Sequence, residues 1–402
     1  MFKYVLLLYL SLLVLMPPFV FVVGGYSSLA PGLLLSLCLI VFFSFTSTAR
    51  IRFNYFNLGI VGYFILLILF VQTSYYALDG YGKPIQSIVF IPIFILAFLF
   101  FSNSLATASN ADINFSLVWL SIIIIFLGWL EIVFHFHFLG YALREKPVFP
   151  FSEQSHYALA AGFFAGPAFI NKHVYIKLFV VFNFILQGVF FPNLTMMLYS
   201  VVLFYLYFLV RKPIVTVFFC TLILIIFMLV SSNLIPGLNY FSSRLDLSSD
   251  SDNLTTLVFL QGWEQAWIAL SQTYGLGVGF QMLGTEPAGY FSTIITSLTG
   301  GNSLNREDGG FLAAKLVGEF GIVGISLLCC YIIYILKCIR QINIHYVDSR
   351  YMVLFAFILL FSVEIFFRGY GYFSPGLIIF LSSIYAIQKI PLKFIKNVSN
   401  SD

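Results

Sequence analysis

Apolar runs long enough to cross a bilayer recur from one end of this chain to the other, and they constrain its fold more than any motif does. A helix of about twenty apolar residues spans the hydrocarbon core, where no water satisfies the backbone and only helices or closed barrels are stable. The runs fall at roughly 4–23, 28–46, 56–78, 84–101, 114–134, 156–170, 174–191, 193–209, 214–231, 311–337, 351–367 and 374–388. They predict an all-α polytopic membrane protein of about twelve transmembrane helices. Residues 1–402 then form a single integral membrane domain. The runs at 174–191 and 193–209 are joined only by Pro192 and predict a tight hairpin. Only 9% of the residues are charged, against about 25% in a soluble domain, so a water-soluble globule is excluded. The opening MFKYVLLLYLSLLVLMPPFVFVVGG lacks a small-residue cleavage site and predicts a retained first helix. Cys38, Cys220, Cys329, Cys330 and Cys338 lie in or beside apolar runs. They read as small buried apolar residues, not as disulfides or metal ligands.

Orientation follows from the placement of lysine and arginine. With the N-terminus inside, thirteen of the 20 basic residues fall in the cytoplasmic turns and termini, among them Arg50, Arg52, Lys172, Arg211, Lys337, Arg340 and Arg350. The outside holds Lys83, Arg144, Lys146, Arg244, Arg306, Lys315 and Arg368, spread over far more loop sequence. Both termini are therefore expected in the cytoplasm. Two outside segments stand out: a smaller loop at 135–155, and a large loop at 232–310 between the ninth and tenth spans. Inside the large loop, NLTTLVFLQGWEQAWIALSQ places Leu260, Trp263, Trp267 and Leu270 on one helical stripe, with Gln261, Glu264 and Gln265 elsewhere. This predicts an amphipathic helix at the membrane surface, with sugar-ring stacking by the two tryptophans as the less favoured alternative. No internal repeat is visible, which counts against a transporter built from inverted halves.

Few polar residues are placed to do chemistry. The stretch FPFSEQSHYALAAGFF sets Glu153, Ser155 and His156 at the outer edge of a span. Ser155 could simply cap the helix, with Glu153 favoured by its positive end. Alternatively, the group sits at the mouth of a membrane cavity and orients or deprotonates a substrate hydroxyl. Arg144, Arg244, Arg306 and Arg368 are the outside arginines. Each could anchor to headgroups alone, or several could converge into a pyrophosphate clamp, for which the planar guanidinium fork is suited. In NREDGGFLAAKLVGEFGIVG, Lys315 and Glu319 lie i, i+4 within an apolar helix and can pair on one face. Ions at that depth are functional candidates, and a mutually neutralised pair is the alternative. Glu364 and Arg368 repeat the spacing. His135 and His137 fall on opposite faces of a helix and do not make a zinc site. GLGVG at 275–279 is a turn and not a dinucleotide fingerprint. No P-loop, no DxD-like sugar-nucleotide motif and no nucleic-acid module is present.

Four stretches, in this order and with this topology, resemble the Wzy-type O-antigen polymerases within the superfamily of O-antigen polymerases and ligases. They are FSEQSHYALA (151–160), the run from SSRLDL to GWEQAW (242–267), YGLGVGF (274–280) and DGGFLAAKLVGEFGIVG (308–324). The first is similar to the family's EPSH-type motif, with Gln154 where proline is common. The resemblance covers about half the chain. It implies a glycosyltransferase of surface polysaccharide, including lipopolysaccharide, biosynthesis in a bacterial inner membrane, with the active loops periplasmic. The growing glycan is transferred from undecaprenyl pyrophosphate onto another lipid-linked repeat unit, without cofactor, metal, nucleotide sugar or ATP. It also implies a chain-length regulator and a flippase as partners in the same membrane, and no nucleic acid. The family's R-x10-G pattern is absent here, because Ser155 and Thr255 stand eleven residues after Arg144 and Arg244. The ligase branch carries a histidine in its large loop, and 232–310 has none, which favours a polymerase. A flippase or other transporter, with Lys315–Glu319 in a gate, remains the alternative of a different class. On the polymerase reading, Arg244 neutralises the leaving pyrophosphate, with Arg144 and Arg306 assisting. Glu153 or His156 serves the acceptor hydroxyl, with Asp308 competing for that role. Ser155, Lys315, Glu319, Arg368, Trp263 and Trp267 complete the expected substrate contacts.

Overall fold

The structure is a computed structural model that describes residues 2–26, 28–46, 62, 83–135, 138–144, 146–231, 239–246, 248, 251–346, 348–390 and 393–394. The run at 56–78 lies outside the described residues except for residue 62. Every other apolar run holds a helix: α1 (Phe2–Val23), α2 (Ala30–Thr46), α3 (Lys83–Thr107), α4 (Asn110–Phe134), α5 (Gln154–Phe169), α6 (Val174–Phe190), α7 (Leu194–Phe204), α8 (Pro213–Ser231), α12 (Leu312–Ile344), α13 (Ser349–Phe366) and α14 (Pro375–Ile387). Between α8 and α12 come α9 (Asn239–Leu245), α10 (Leu254–Gln272) and α11 (Tyr290–Leu298). Five helical stretches are long and apolar enough to cross a membrane: Phe2–Val23, Phe90–Thr107, Asn110–Phe134, Leu312–Ile344 and Ser349–Phe366. The fold is that of a membrane-embedded helical protein. The strands among the described residues are a two-residue antiparallel ladder, His345–Tyr346 with Lys393–Phe394.

Burial is arranged for lipid as the outer solvent. Large apolar side chains stay exposed on peripheral helices: Phe179 and Phe182 on α6, Phe218 and Leu224 on α8, Ile332 and Ile333 on α12. In water such bands would drive aggregation. The same logic corrects the reading of the cysteines. All are free, but only Cys338 is buried, because the exposed face of a lipid-facing helix is itself apolar. The expected hairpin forms, with α6 packed on α7 and Asn193 capping α7 by accepting from Met196 N.

At the centre, every residue of α5 from Tyr157 to Phe169 is buried. Small side chains let the neighbouring helices approach closely, as is general where lipid provides no hydrophobic drive between helices. A methyl on Gly162 would meet the Tyr199 ring of α7, and one on Gly166 would meet Leu360 of α13. Buried polar groups are bonded across helices: Tyr157 Oη donates to Gln187 Oε1 at 2.6 Å, and Tyr331 Oη to Ile358 O at 2.9 Å. α13, packed on α5, is buried along most of its length.

The described part of 232–310 is folded against the bundle. α10 packs on α12 and α11. Its Gln261 and Gln265 are fully buried, and each donates to Ser292 Oγ at 3.0 Å. The polar stripe of the expected amphipathic helix thus turns inward to meet α11, and Trp267 is left exposed. Glu264 accepts from Tyr290 N at 2.7 Å and Phe291 N at 3.0 Å, holding the N-terminus of α11. α12 breaks at Gly321, which adopts φ 57, ψ −129. The turn 274–280 fills the break: Val278 N donates to Gly318 O at 3.0 Å, Gly279 N to Glu319 O at 2.9 Å, and Gly275 O accepts from Ile322 N at 2.8 Å. Backbone groups freed by the break are therefore satisfied inside the protein, as membrane depth requires.

Candidate functional site

Glu153 stands at the N-terminal end of α5 with Ser155, His156 and Arg368 gathered around it. Arg368 Nη2, just past the end of α13, lies 2.7 Å from Glu153 Oε1. Ser155 Oγ donates to the same oxygen. His156 Nε2 lies 3.2 Å from it, and His156 Nδ1 lies 3.1 Å from Ser152 Oγ. The imidazole therefore bridges a carboxylate and a hydroxyl. Tyr370 packs its ring 4.7 Å from the imidazole and donates to His156 O at 3.1 Å. Ser155 does not cap the helix, although Glu153 does sit at its positive end. The N-cap is Glu153 itself, its side chain makes no cap bond, and Ser155 lies inside the first turn, where its hydroxyl reaches the carboxylate. Burial works against ionisation of Glu153. The charges of His156 and Arg368, with hydrogen bonds from Ser155 and Arg368, outweigh it and hold the carboxyl down at about 2. The cluster stays open to solvent, with the Glu153 side chain 39% exposed and that of Arg368 26%.

A second polar cluster forms where the segment 305–311 enters α12. Lys315 Nζ lies 2.9 Å from Asp308 Oδ1 and donates to Glu307 O at 3.2 Å. Lys83, at the start of α3, reaches Asp308 at 3.1 Å and Glu307 Oε2 at 3.2 Å. The expected Lys315–Glu319 pair is present at 3.8 Å, but Asp308 is the nearer partner. Glu319 is spent on backbone: Oε2 accepts from Gln281 N at 2.8 Å and Oε1 from Leu283 N at 3.3 Å. Burial pushes the Asp308 carboxyl up, and the ammonium groups of Lys315 and Lys83 reverse this and bring it down to about 2.

Residues 368–374 connect the two clusters. Arg368 and Tyr370 serve the first, Gly369 N donates to Gly310 O at 3.3 Å, and Tyr372 lies with its ring 5.5 Å from Lys315 Nζ and flanks Glu319. The expected Glu364–Arg368 pairing is not made. Arg368 turns to Glu153, and Glu364 is buried against Ser374 and the Tyr370 backbone.

The remaining arginines do not converge on these clusters. The Arg244 guanidinium lies 4.1 Å from the Tyr240 ring on α9, and that of Arg144 lies 4.7 Å from the Phe21 ring of α1. Neither makes an ion pair among the described residues. Arg306 donates to the backbone carbonyl of Glu286, whose own carboxylate accepts from Gly284 N at 2.7 Å. Burial pushes the Glu286 carboxyl up. Trp263 packs on Phe311 at 5.2 Å, while Trp267 is exposed. His135 ends α4 in the left-handed region, and His137 lies outside the described residues.

Sequence reasoning missed Ser152, Tyr370, Lys83 and Glu307 as members of these clusters. Lys83 and Glu307 are 224 residues apart, so no local spacing could join them. Tyr370 had a signal, lying two residues beyond an outside arginine. Chemically, the first cluster offers an ionised carboxylate, an imidazole and a guanidinium on one accessible surface at the end of two buried helices. It can orient a hydroxyl, accept or relay its proton, and face an anion. No family model, curated protein or solved structure matches the chain.

Proposed function

We propose that this protein is a surface-polysaccharide polymerase of the Wzy type, a membrane glycosyltransferase working on oligosaccharides carried by undecaprenyl pyrophosphate. On this reading it is a multi-pass protein of a bacterial inner membrane with about twelve spans, both termini cytoplasmic and the segments 135–155 and 232–310 on the periplasmic side. A flippase supplies its lipid-linked units, and a chain-length regulator acts beside it.

One observation carries the reading: Glu153, His156 and Arg368 meet at the accessible outer end of α5 and α13. The reaction needs such a group. The acceptor hydroxyl oxygen bonds the anomeric carbon of the donor, the bond from that carbon to the pyrophosphate oxygen breaks, and the pyrophosphate leaves with the electron pair. A carboxylate held at about 2 is a weak base but a strong orienting acceptor for the hydroxyl. The imidazole, whose Nε2 faces the carboxylate, can take the proton at Nδ1 by way of the Ser152 hydroxyl bonded there. Arg368 offers its remaining guanidinium N–H groups to the leaving pyrophosphate, where fixed positive charge lowers the barrier. This moves the leading role among the arginines from Arg244 to Arg368, because Arg368 is the one brought to the acid. Asp308, tied to two lysines, is a brace in this account and not a competing base.

Deleting the gene and running the surface glycan on a gel tests the reading. A ladder collapsing to core plus one repeat is the expected result. Loss of every repeat would contradict it and point to a ligase or a flippase, which the leaflet holding the stranded lipid-linked sugar separates.

A further inference from the structure

The turn at 274–276 lies in sequence within the large outer segment, yet it is packed against α12 at the first residue past its break at Gly321. Gly275 O accepts from Ile322 N at 2.8 Å, and a methyl on Gly275 would touch Ile322 Cδ1 at 3.0 Å. Beyond the break at Gly321, α12 runs without interruption from Ile322 to Lys337, the basic residue near its other end. Those fifteen steps span about 22 Å at 1.5 Å per residue, short of the roughly 30 Å of a bilayer's hydrocarbon core, so the turn that bonds Ile322 sits about 8 Å below the outer boundary. At that level the side chains flanking Gly275 are bare: Tyr274 is 95% exposed and Leu276 80%. Their exposed neighbours are apolar too. Ile322 and Val323 adjoin them, and Trp267 is the residue after Ala266, whose Cα would lie 3.3 Å from a methyl on Gly318. The patch continues into the exposed apolar face of α12 at Ile325, Ile332 and Ile333.

We propose that the turn 274–276 is a re-entrant wedge that enters the outer leaflet, with Tyr274 and Leu276 in contact with lipid acyl chains. Three features fit that occupant. Backbone groups of the turn are bonded within the protein, as lipid exposure demands: Gly275 O accepts from Ile322 N of the broken helix, and Gly275 N and Leu276 N donate to Leu270 O and Thr273 O. No charged residue lies between Ser271 and Thr285. The exposed Trp267 ring belongs at the interface just above. The inference does not depend on the reaction catalysed.

The test is to place a nitroxide-bearing amino acid at position 276 in the full-length protein, reconstituted in phosphatidylcholine–phosphatidylglycerol vesicles. A second label at the exposed outer position Leu304 serves as reference. The label at 276 should collide more often with oxygen than with a water-soluble nickel chelate, and the label at 304 should show the reverse. Because Leu276 is exposed, the label disturbs no packing. Tyr274→Trp gives an independent reading, and its fluorescence should be quenched by lipids brominated on the acyl chain. Nickel-dominated collisions at 276 would place the turn in water and overturn the proposal. A label shielded from both reagents would also overturn it, because another protein surface, such as a second copy of the chain, would then cover the patch.

Discussion

The two polar clusters use the same chemistry, carboxylates against a cation at one end of a buried helix, and differ in how deeply their central pair is buried. In the second cluster the side chains of Lys315 and Glu319 are 1% and 0% exposed, while those of their neighbours Asp308 and Glu307 are 57% exposed. Those of Glu153 and Arg368 are 39% and 26% exposed. Buried ions are tolerated when every lone pair is answered, and breaking one partner then costs far more than an open pair would. The difference teaches how to divide the labour. The buried Lys315–Glu319 pair ties residues 281–283 and 307–308 to α12, and the other cluster leaves an acid and a guanidinium partly exposed.

Lys315→Met should give the largest effect. It leaves the buried Glu319 without its cation, while Asp308 keeps Lys83, and a loss of about 3–5 kcal/mol is expected, seen as a fall in apparent Tm in detergent and in folded yield. Restoring part of that loss by adding Glu319→Gln would sharpen the comparison. An unchanged Tm for the single variant would break it. Gly321→Ala comes next. Its methyl would sit 1.9 Å from Gly275 O at a backbone φ of 57, so a cost of at least about 1–3 kcal/mol is expected, with residues 274–283 opening to protease first. Arg368→Lys should leave Tm nearly unchanged but reduce polymer by about 10–100-fold, the loss expected from one charge-assisted hydrogen bond. Acidification probes both clusters in one experiment. Glu153 and Asp308 are each held at about 2, below their ordinary values of 4.5 and 3.8. Depressed carboxyls contribute stability above those ordinary values and lose it as pH falls through the folded ones. The contribution of these two carboxyls, read as the difference in native fluorescence between the protein and a Glu153→Gln, Asp308→Asn variant, should therefore hold to about pH 4 and be lost between there and pH 2. Arg244→Lys should do least, costing under ~1 kcal/mol for its contact with Tyr240 and leaving the ladder near normal length.

The helices were legible because lipid imposes a length and a composition, so segments such as 174–191 and 193–209 could be placed to within a few residues of α6 and α7 with its continuation. The Glu153–His156 group was legible because its members are local in sequence. What was not legible depends on helices meeting. Arg368 could pair with Glu364 one turn away or with Glu153 across the bundle, and only the packing of α13 on α5 decides between them. The face of α10 was misread because a glutamine stripe suits water and a serine on a neighbouring helix equally well. The break in α12 gave only a run of glycines as a signal, with nothing to show that a turn some forty residues earlier fills it.

The most direct test of the account is Glu153→Gln introduced into the host's own gene copy, with protein level checked by blot and surface glycan run on a gel. The substitution keeps the shape of the side chain and removes the charge that Arg368, Ser155 and His156 address. A ladder reduced to core plus one repeat at normal protein level is the predicted result, a loss of about 100-fold or more in polymer. A full-length ladder at normal level would show that the bond is made without this carboxylate, and the proposed site would be wrong.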